Sequence, residues 1–333
     1  MTARQEDKEA FLRETGWRGE PLRPLAGDAS NRRYDRLTLD ARPVVLMDAP
    51  PDTGGSIEPF LDVAAHLEGL DLHPPAILAQ DRAKGFLLLE DLGDGLYARI
   101  FEATPDQEIP LYREALSVLR HLHRAPPPPL PDYGAAEMAA AIDLAPIWYA
   151  DAPDHAAPLA ESLLQALETL DWSRKVVALR DFHAENLIWC PREAGLRRVG
   201  LLDFQDAVLS HPLYDVASLF HDARRDVPEP VVETLRQEVF HWFAEDLATF
   251  DRAIAILSAQ RALRILGIFA RLSLHFGKPG YVDLIPRVWT QLEINLQHPS
   301  LAEVAQLVAE TLPKPSPAHL DDLKARSGTC PMP

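Results

Sequence analysis

The chain has 333 residues, 47% of them hydrophobic and 25% charged, a globular composition too long for one small core. Its formal net charge of −17 excludes nucleic acid and an anionic membrane surface as partners, and any phosphate it handles needs locally placed cations. The two cysteines, Cys190 and Cys330, lack metal-ligand spacing and read as free thiols of a reducing compartment.

In chain order, residues 2–15 predict a short amphipathic helix, charged and without an apolar signal core. No segment reads as a bilayer span, so a cytoplasmic protein is expected. A strand at 22–25 precedes a turn of small residues, Gly27-Asp28-Ala29-Ser30-Asn31. Residues 33–39 and 43–49 read as paired strands around Asp40-Ala41-Arg42. Ser56 caps a helix running to Leu70, and residues 77–80 and 86–90 form a further hairpin. Glu90-Asp91-Leu92-Gly93-Asp94-Gly95 then breaks the last strand, as an interdomain linker or a hinge would.

Residues 108–123 carry an apolar helical stripe of Leu111, Ala115, Val118, Leu119 and Leu122. Ala125 to Pro131 make a polyproline spacer, and helices are expected over 135–149 and 156–170. Trp148 and Tyr149 either pack in the core or stack on a sugar ring. Further helices are expected from near Tyr214 and over 231–250, 251–276, 283–297 and 301–312. The proline-bearing tail, 313–333, reads as poorly ordered.

The stretch from Val176 to Ala207 carries the chemistry. Apolar runs flank the loop Leu179-Arg180-Asp181-Phe182-His183-Ala184-Glu185-Asn186, and another apolar run delivers Asp203-Phe204-Gln205. Phosphoryl transfer needs a carboxylate to take the proton of the accepting hydroxyl, and hard oxygen ligands for a divalent cation. The protein-kinase pattern H-R-D-x-x-x-x-N followed by D-F-G supplies them. Here the Asp-to-Asn spacing agrees, with Leu179 in place of His and Gln205 in place of Gly.

These residues resemble the aminoglycoside phosphotransferase and choline kinase group. Ala26 to Tyr34, Val44 to Pro51 and Gln260 to Leu272 resemble one branch, the bacterial kinases of N-acetylmuramic acid and N-acetylglucosamine, which phosphorylate the anomeric hydroxyl in cell-wall recycling. The resemblance implies an α+β, two-lobed protein-kinase-like fold. A small antiparallel β-sheet N-lobe would cover residues 1–91, and a mainly helical C-lobe residues 92–312. It implies ATP and Mg2+ as cofactors and a small-molecule sugar as acceptor, and nothing calls for an obligate protein partner.

Residue by residue, the resemblance makes Asp181 the base and Asn186 and Asp203 the magnesium ligands. The turn at Ser30 would cover the phosphates, and the backbone at Glu90 and Leu92 would meet adenine. Asp215 would brace the catalytic loop, and His183 reads as a packing residue of that loop. On the helix over 251–276, Arg261, Arg264, Ile268, Arg271 and His275 share one arc. That arc is either a solvated face or a binder of an anionic group, and the resemblance favours a carboxylate-binding role for Arg261 and Arg264.

Met47 stands where kinases carry a phosphate-binding lysine. Matching Tyr34 to the family's strand tyrosine turns Arg33 toward the nucleotide, with Glu58 or Asp62 as partner and a slip of one residue selecting Arg32 instead. The alternatives are a kinase for another small alcohol, such as an aminoglycoside or choline, and a catalytically inactive binding module.

Overall fold

The computed structural model describes residues 3–17, 19, 21–25 and 32–331. In chain order the elements begin α1 (Ala3–Glu14), β1 (Arg23–Pro24), β2 (Arg33–Leu39), β3 (Arg42–Asp48), α2 (Glu58–Gly69), β4 (Ile77–Asp81), β5 (Phe86–Glu90) and α3 (Tyr97–Ala103). They continue α4 (Glu108–Leu122), α5 (Ala135–Ala140), α6 (Ala156–Glu168), β6 (Val176–Ala178), β7 (Leu187–Trp189), β8 (Val199–Leu201), β9 (Val208–Ser210) and α7 (Tyr214–Phe220). The last are α8 (Glu229–Phe243), α9 (Leu247–Leu274), α10 (Ile285–Asn295), α11 (Ala302–Thr311) and α12 (Pro317–Ala325). Two compact units result, one of Met1–Ala103 with Asn186–Asp206, the other of Thr104–Glu185 with Ala207–Pro333. The first unit thus extends past residue 91 and takes the β7–β8 hairpin from mid-chain.

The first unit holds a five-stranded antiparallel sheet in the order β1-β2-β3-β5-β4. Alternation along the strands puts Leu37, Val44, Leu46, Phe86 and Leu88 on one face, packed against Phe11 and Leu12 of α1. Burying each such side chain contributes about 1.5–3 kcal/mol. Two carboxylates share that face, Asp35 with Lys8 at 3.0 Å and Asp48 with Arg4, whose guanidinium also lies 3.8 Å from the Phe86 ring centre. The β7–β8 ladder pairs Leu187 with Leu201 and Trp189 with Val199. Gly200 fits closely there, since a Cβ would press on Leu92 Cδ1 at 2.7 Å and on Ile188 Cβ at 3.2 Å.

In the second unit α9 is the core helix, opened by Asp246, whose side chain accepts from Thr249 N–H at 2.7 Å. This cap is why the helix expected over 231–250 stops at Phe243 and a new one starts at Leu247. Among the described residues α9 is also long and apolar enough to cross a membrane, contrary to expectation, but 78% of its apolar window is buried inside the protein.

The helix expected over 135–149 breaks after Ala140 and resumes as a π turn at Ala145–Tyr149. Gly267 of α9 lies against the break, where a Cβ would meet the Leu144 carbonyl carbon at 2.3 Å. Trp148 and Tyr149 are both core residues, and the Tyr149 hydroxyl donates to the Pro313 carbonyl at 2.7 Å.

The proline spacer leads into pairing with β9, Leu209 N–H donating to Pro131 O and Tyr133 N–H to Leu209 O. The tail is ordered over its described part. α12 starts at the Ser316 cap, buries Leu323, and accepts a hydrogen bond from Ser273 Oγ at the Leu323 carbonyl (2.9 Å).

Candidate active site

The loop after β6 contains a strained turn. Arg180 has φ +70°, a left-handed conformation costing a non-glycine residue about 1–3 kcal/mol. Asp181 N–H donates back to Leu179 O at 2.9 Å, closing a γ-turn around it. Four hydrogen bonds hold the distortion in place. Asp215 accepts from Leu179 N–H at 2.6 Å and from Arg180 N–H at 2.9 Å. The Arg180 carbonyl accepts from Arg261 Nη1 at 3.0 Å and from Ser218 Oγ at 3.4 Å. Three of the four involve a charged group, each worth about 1.5–3 kcal/mol, so the bracing exceeds the strain. The result is a fixed presentation of half-buried Asp181.

Asp215 is 1% exposed, and burial pushes its carboxyl up to about 6, against the opposing pull of its two N–H donors and of Arg261. Arg261 is itself buried, with Nη2 on Ser218 Oγ at 2.6 Å and its guanidinium 5.0 Å from the Tyr214 ring centre. The guanidinium expected to meet a substrate carboxylate is therefore spent on the loop backbone. Ser218 escaped the sequence reading, since nothing distinguishes it within Asp215-Val216-Ala217-Ser218. His183 is buried in the same loop, and burial lowers its pKa, leaving it neutral.

Arg264 and Arg271 remain on the less buried side of α9. Burial, then the Tyr214 neighbour, raises the Tyr133 phenol, while the Arg264 and Arg180 charges pull against them. Burial, then the like charge of Arg264, lowers the Arg271 pKa. Arg180 lies 5.2 Å from the Tyr133 ring centre. The Arg264 and Arg180 guanidiniums thus lie near Tyr133, in the unit that holds Asp181, and Arg271 feels the charge of Arg264.

Asn186 and Asp203 emerge at one end of the β7–β8 ladder, where Leu202 N–H donates to Asn186 O at 2.9 Å. Asp203 has φ +55°, and Gln205 Nε2 donates to its Oδ1 at 2.6 Å. Gln205, standing where glycine is expected, orients the carboxylate. Among the described residues no group of three His, Cys, Asp or Glu side chains gathers as a metal site. One carboxylate and one amide oxygen suit magnesium, which fills its remaining positions with water and phosphate oxygens.

Ser30 and its turn lie outside the described residues. Glu90 N–H already donates to Ala76 O at 2.8 Å, so an adenine contact at Glu90 has to use its carbonyl. The Leu92 side chain packs against Gly200. Arg33 does not share a face with Met47. It pairs with Asp48, on the side covered by α1, while Tyr34 pairs with the fully buried Met47. The two acids on the α1 face set this register, and alternation then gives Arg32, Tyr34 and Arg36 the Met47 side. Glu58 pairs with Arg82 at 2.9 Å instead, and Arg36 is held by Asp91 at 2.6 Å and Asp94 at 2.7 Å.

The phosphotransferase enzyme family model matches residues 21–253. The chain belongs to that family. It is an enzyme that transfers a phosphoryl group to an alcohol acceptor. It is 38% identical to an N-acetylmuramate/N-acetylglucosamine kinase of Caulobacter vibrioides, over 90% of this chain and 94% of that one. Among solved structures, a choline/ethanolamine kinase family protein from Mesorhizobium loti matches with TM-score 0.60 at 16% identity, over 92% of this chain and 99% of that one. An aminoglycoside phosphotransferase from Streptomyces rimosus, solved in complex with ADP and streptomycin, matches with TM-score 0.52 at 21% identity, over 77% and 99%. Both establish the kinase-like α+β fold.

Proposed function

We propose that this chain is an ATP-dependent kinase phosphorylating the anomeric hydroxyl of N-acetylmuramate, N-acetylglucosamine or both, in peptidoglycan recycling in the cytoplasm. The observation that supports the reading is the fastened turn at Arg180, which holds the loop backbone beside Asp181, the group that would take the hydroxyl proton. The name of the Caulobacter relative supports the choice of sugar. Asn186 and Asp203 would hold magnesium, with Gln205 fixing the carboxylate. A bound magnesium ion neutralises charge on the transferring phosphoryl group.

Arg32, which strand alternation assigns to the Met47 side just ahead of β2, takes the part of the missing strand lysine. Arg264, which shares the surroundings of Tyr133 with Arg180, receives the lactyl carboxylate of N-acetylmuramate by a bidentate contact. Arg261 acts only through the loop, as a positioning residue.

The test is ATP turnover against N-acetylmuramate, N-acetylglucosamine, an aminoglycoside and choline. The amino sugars are expected to be the preferred acceptors, and Asp181→Asn is expected to lower kcat at least ~100-fold. Preference for choline or the aminoglycoside would overturn the substrate. Absence of turnover with every acceptor would overturn the reading as a whole.

A further inference from the structure

The second unit carries a cationic cavity that the phosphoryl-transfer chemistry does not use. About 190 Å³ in volume, it is lined by Arg120, His123, Arg124, Arg174, His241 and Trp242. In a chain of 50 acidic and 33 basic residues, many arginines pair with a carboxylate, among them Arg113, Arg225 and Arg236. Among the described residues, Arg120, Arg124 and Arg174 do not. Arg120 lies 4.6 Å from the Trp242 ring centre, Arg174 donates to the His123 carbonyl, and Arg124 is exposed. His123 is 6% exposed, and its ring has the Val177 backbone as a neighbour but no hydrogen-bond partner of good geometry. Burial, then the Arg174 charge, depresses its pKa to about 3, so it is neutral and contributes a buried polar edge without charge.

Helix ends account for part of this arrangement. Arg120 and His241 sit in the last turns of α4 and α8, where cations offset the macrodipole. Each helix end is equivalent to about half a negative charge, so two ends cancel roughly one of the three guanidinium charges. About two positive charges remain unmatched in a recess partly walled by protein. Guanidinium forks fit phosphate oxygens bidentately, and Trp242 offers a face for an apolar or sugar stem. At about 30 Å³ per water, the volume holds roughly six waters, room for a phosphate with a short organic stem.

We propose that this cavity is a binding site for a phosphate dianion, free or as the phosphoryl group of a small phosphorylated sugar. It lies on residues distinct from those assigned to phosphoryl transfer.

Ring resonances of His123 and His241, assigned with His123→Gln and His241→Gln, would be followed by NMR as the full chain is titrated with inorganic phosphate, glucose 1-phosphate and glucose. Saturable shifts are expected with at least one phosphate probe and none with glucose. In the Arg124→Ala/Arg174→Ala variant, which alters exposed side chains, the dissociation constant is expected to rise at least ~10-fold. Saturation by inorganic phosphate alone would identify free phosphate as the ligand; tighter binding of glucose 1-phosphate would identify a phosphorylated sugar. Absence of saturable shifts with both phosphate probes, or an unchanged dissociation constant in the variant, would overturn the proposal.

Discussion

Arg261 on α9 donates to the carbonyl of Arg180 at 3.0 Å, across 81 residues of sequence, and so helps to hold the residue before Asp181 in a left-handed turn. Its partner Ser218 follows Asp215 by one helical turn on α7, so α7 and α9 grip the same peptide groups from two directions.

This division of labour separates two arginines that look alike in sequence. Arg261→Lys keeps a charge but cannot reach both oxygens with a planar fork. It is expected to lower kcat ~10-fold or more, with the KM for either sugar little changed. Arg264→Ala is expected to raise the KM for N-acetylmuramate more than for N-acetylglucosamine. Steady-state kinetics on both sugars distinguish the patterns, and equal KM effects on the two sugars would remove Arg264 from carboxylate binding.

The buried Asp215 carboxyl makes the loop sensitive to acid. Its folded pKa of about 6 lies above the ordinary ~3.9, so the native state binds the proton more readily. This contribution to stability is present at low pH and is lost as pH rises between about 4 and 6. Activity runs the other way, because the ionised form accepts both N–H groups best. The acid limb of kcat is expected near pH 6. It should move upward in Arg261→Met, which removes a charge favouring the carboxylate. A limb that stays in place would uncouple Asp215 from the titration.

Gln205 gives a metal-dependent prediction. Gln205→Ala leaves Asp203 without its amide donor, and loss of a hydrogen bond to a charged group is worth about 1.5–3 kcal/mol. The magnesium concentration for half-maximal rate is expected to rise ~10-fold, with a smaller change at saturating magnesium. A magnesium titration checks it, and an unchanged midpoint would show that Asp203 is oriented without Gln205.

The phosphate-binding cation is tested by a pair of neighbours. Arg32→Ala is expected to raise the KM for ATP and to slow transfer, while Arg33→Ala, on the α1 side, is expected to do little. The reverse outcome would mean that the β2 register inferred from the Arg33–Asp48 pair does not govern nucleotide binding.

The proposed residues of chemistry stand out in the sequence because phosphoryl transfer needs short local spacings, Asp181 to Asn186 and then Asp203-Phe204. Asp215 was marked out by the family resemblance, since its place at the start of α7 alone suits any first-turn carboxylate. Features set by distant packing were not legible. The face taken by Arg33 depends on Lys8 and Arg4 pairing with Asp35 and Asp48, which lets α1 cover acidic positions that look exposed. Arg261 shares a helical arc with Arg264, yet its partner is a backbone carbonyl, and backbone geometry leaves no mark in side-chain periodicity. The break after Ala140 answers to Gly267, a glycine that in sequence looks like an ordinary interruption of a helix.

The central claim, transfer to an anomeric hydroxyl by the group that the Arg180 turn presents, is tested most directly by phosphorus NMR of the product. With ATP and N-acetylmuramate, a sugar phosphate coupled to the anomeric proton is expected, and the 1-deoxy analogue is expected to bind without accepting phosphate. Phosphorylation of the 1-deoxy analogue, or a product coupled to any other sugar proton, would contradict it.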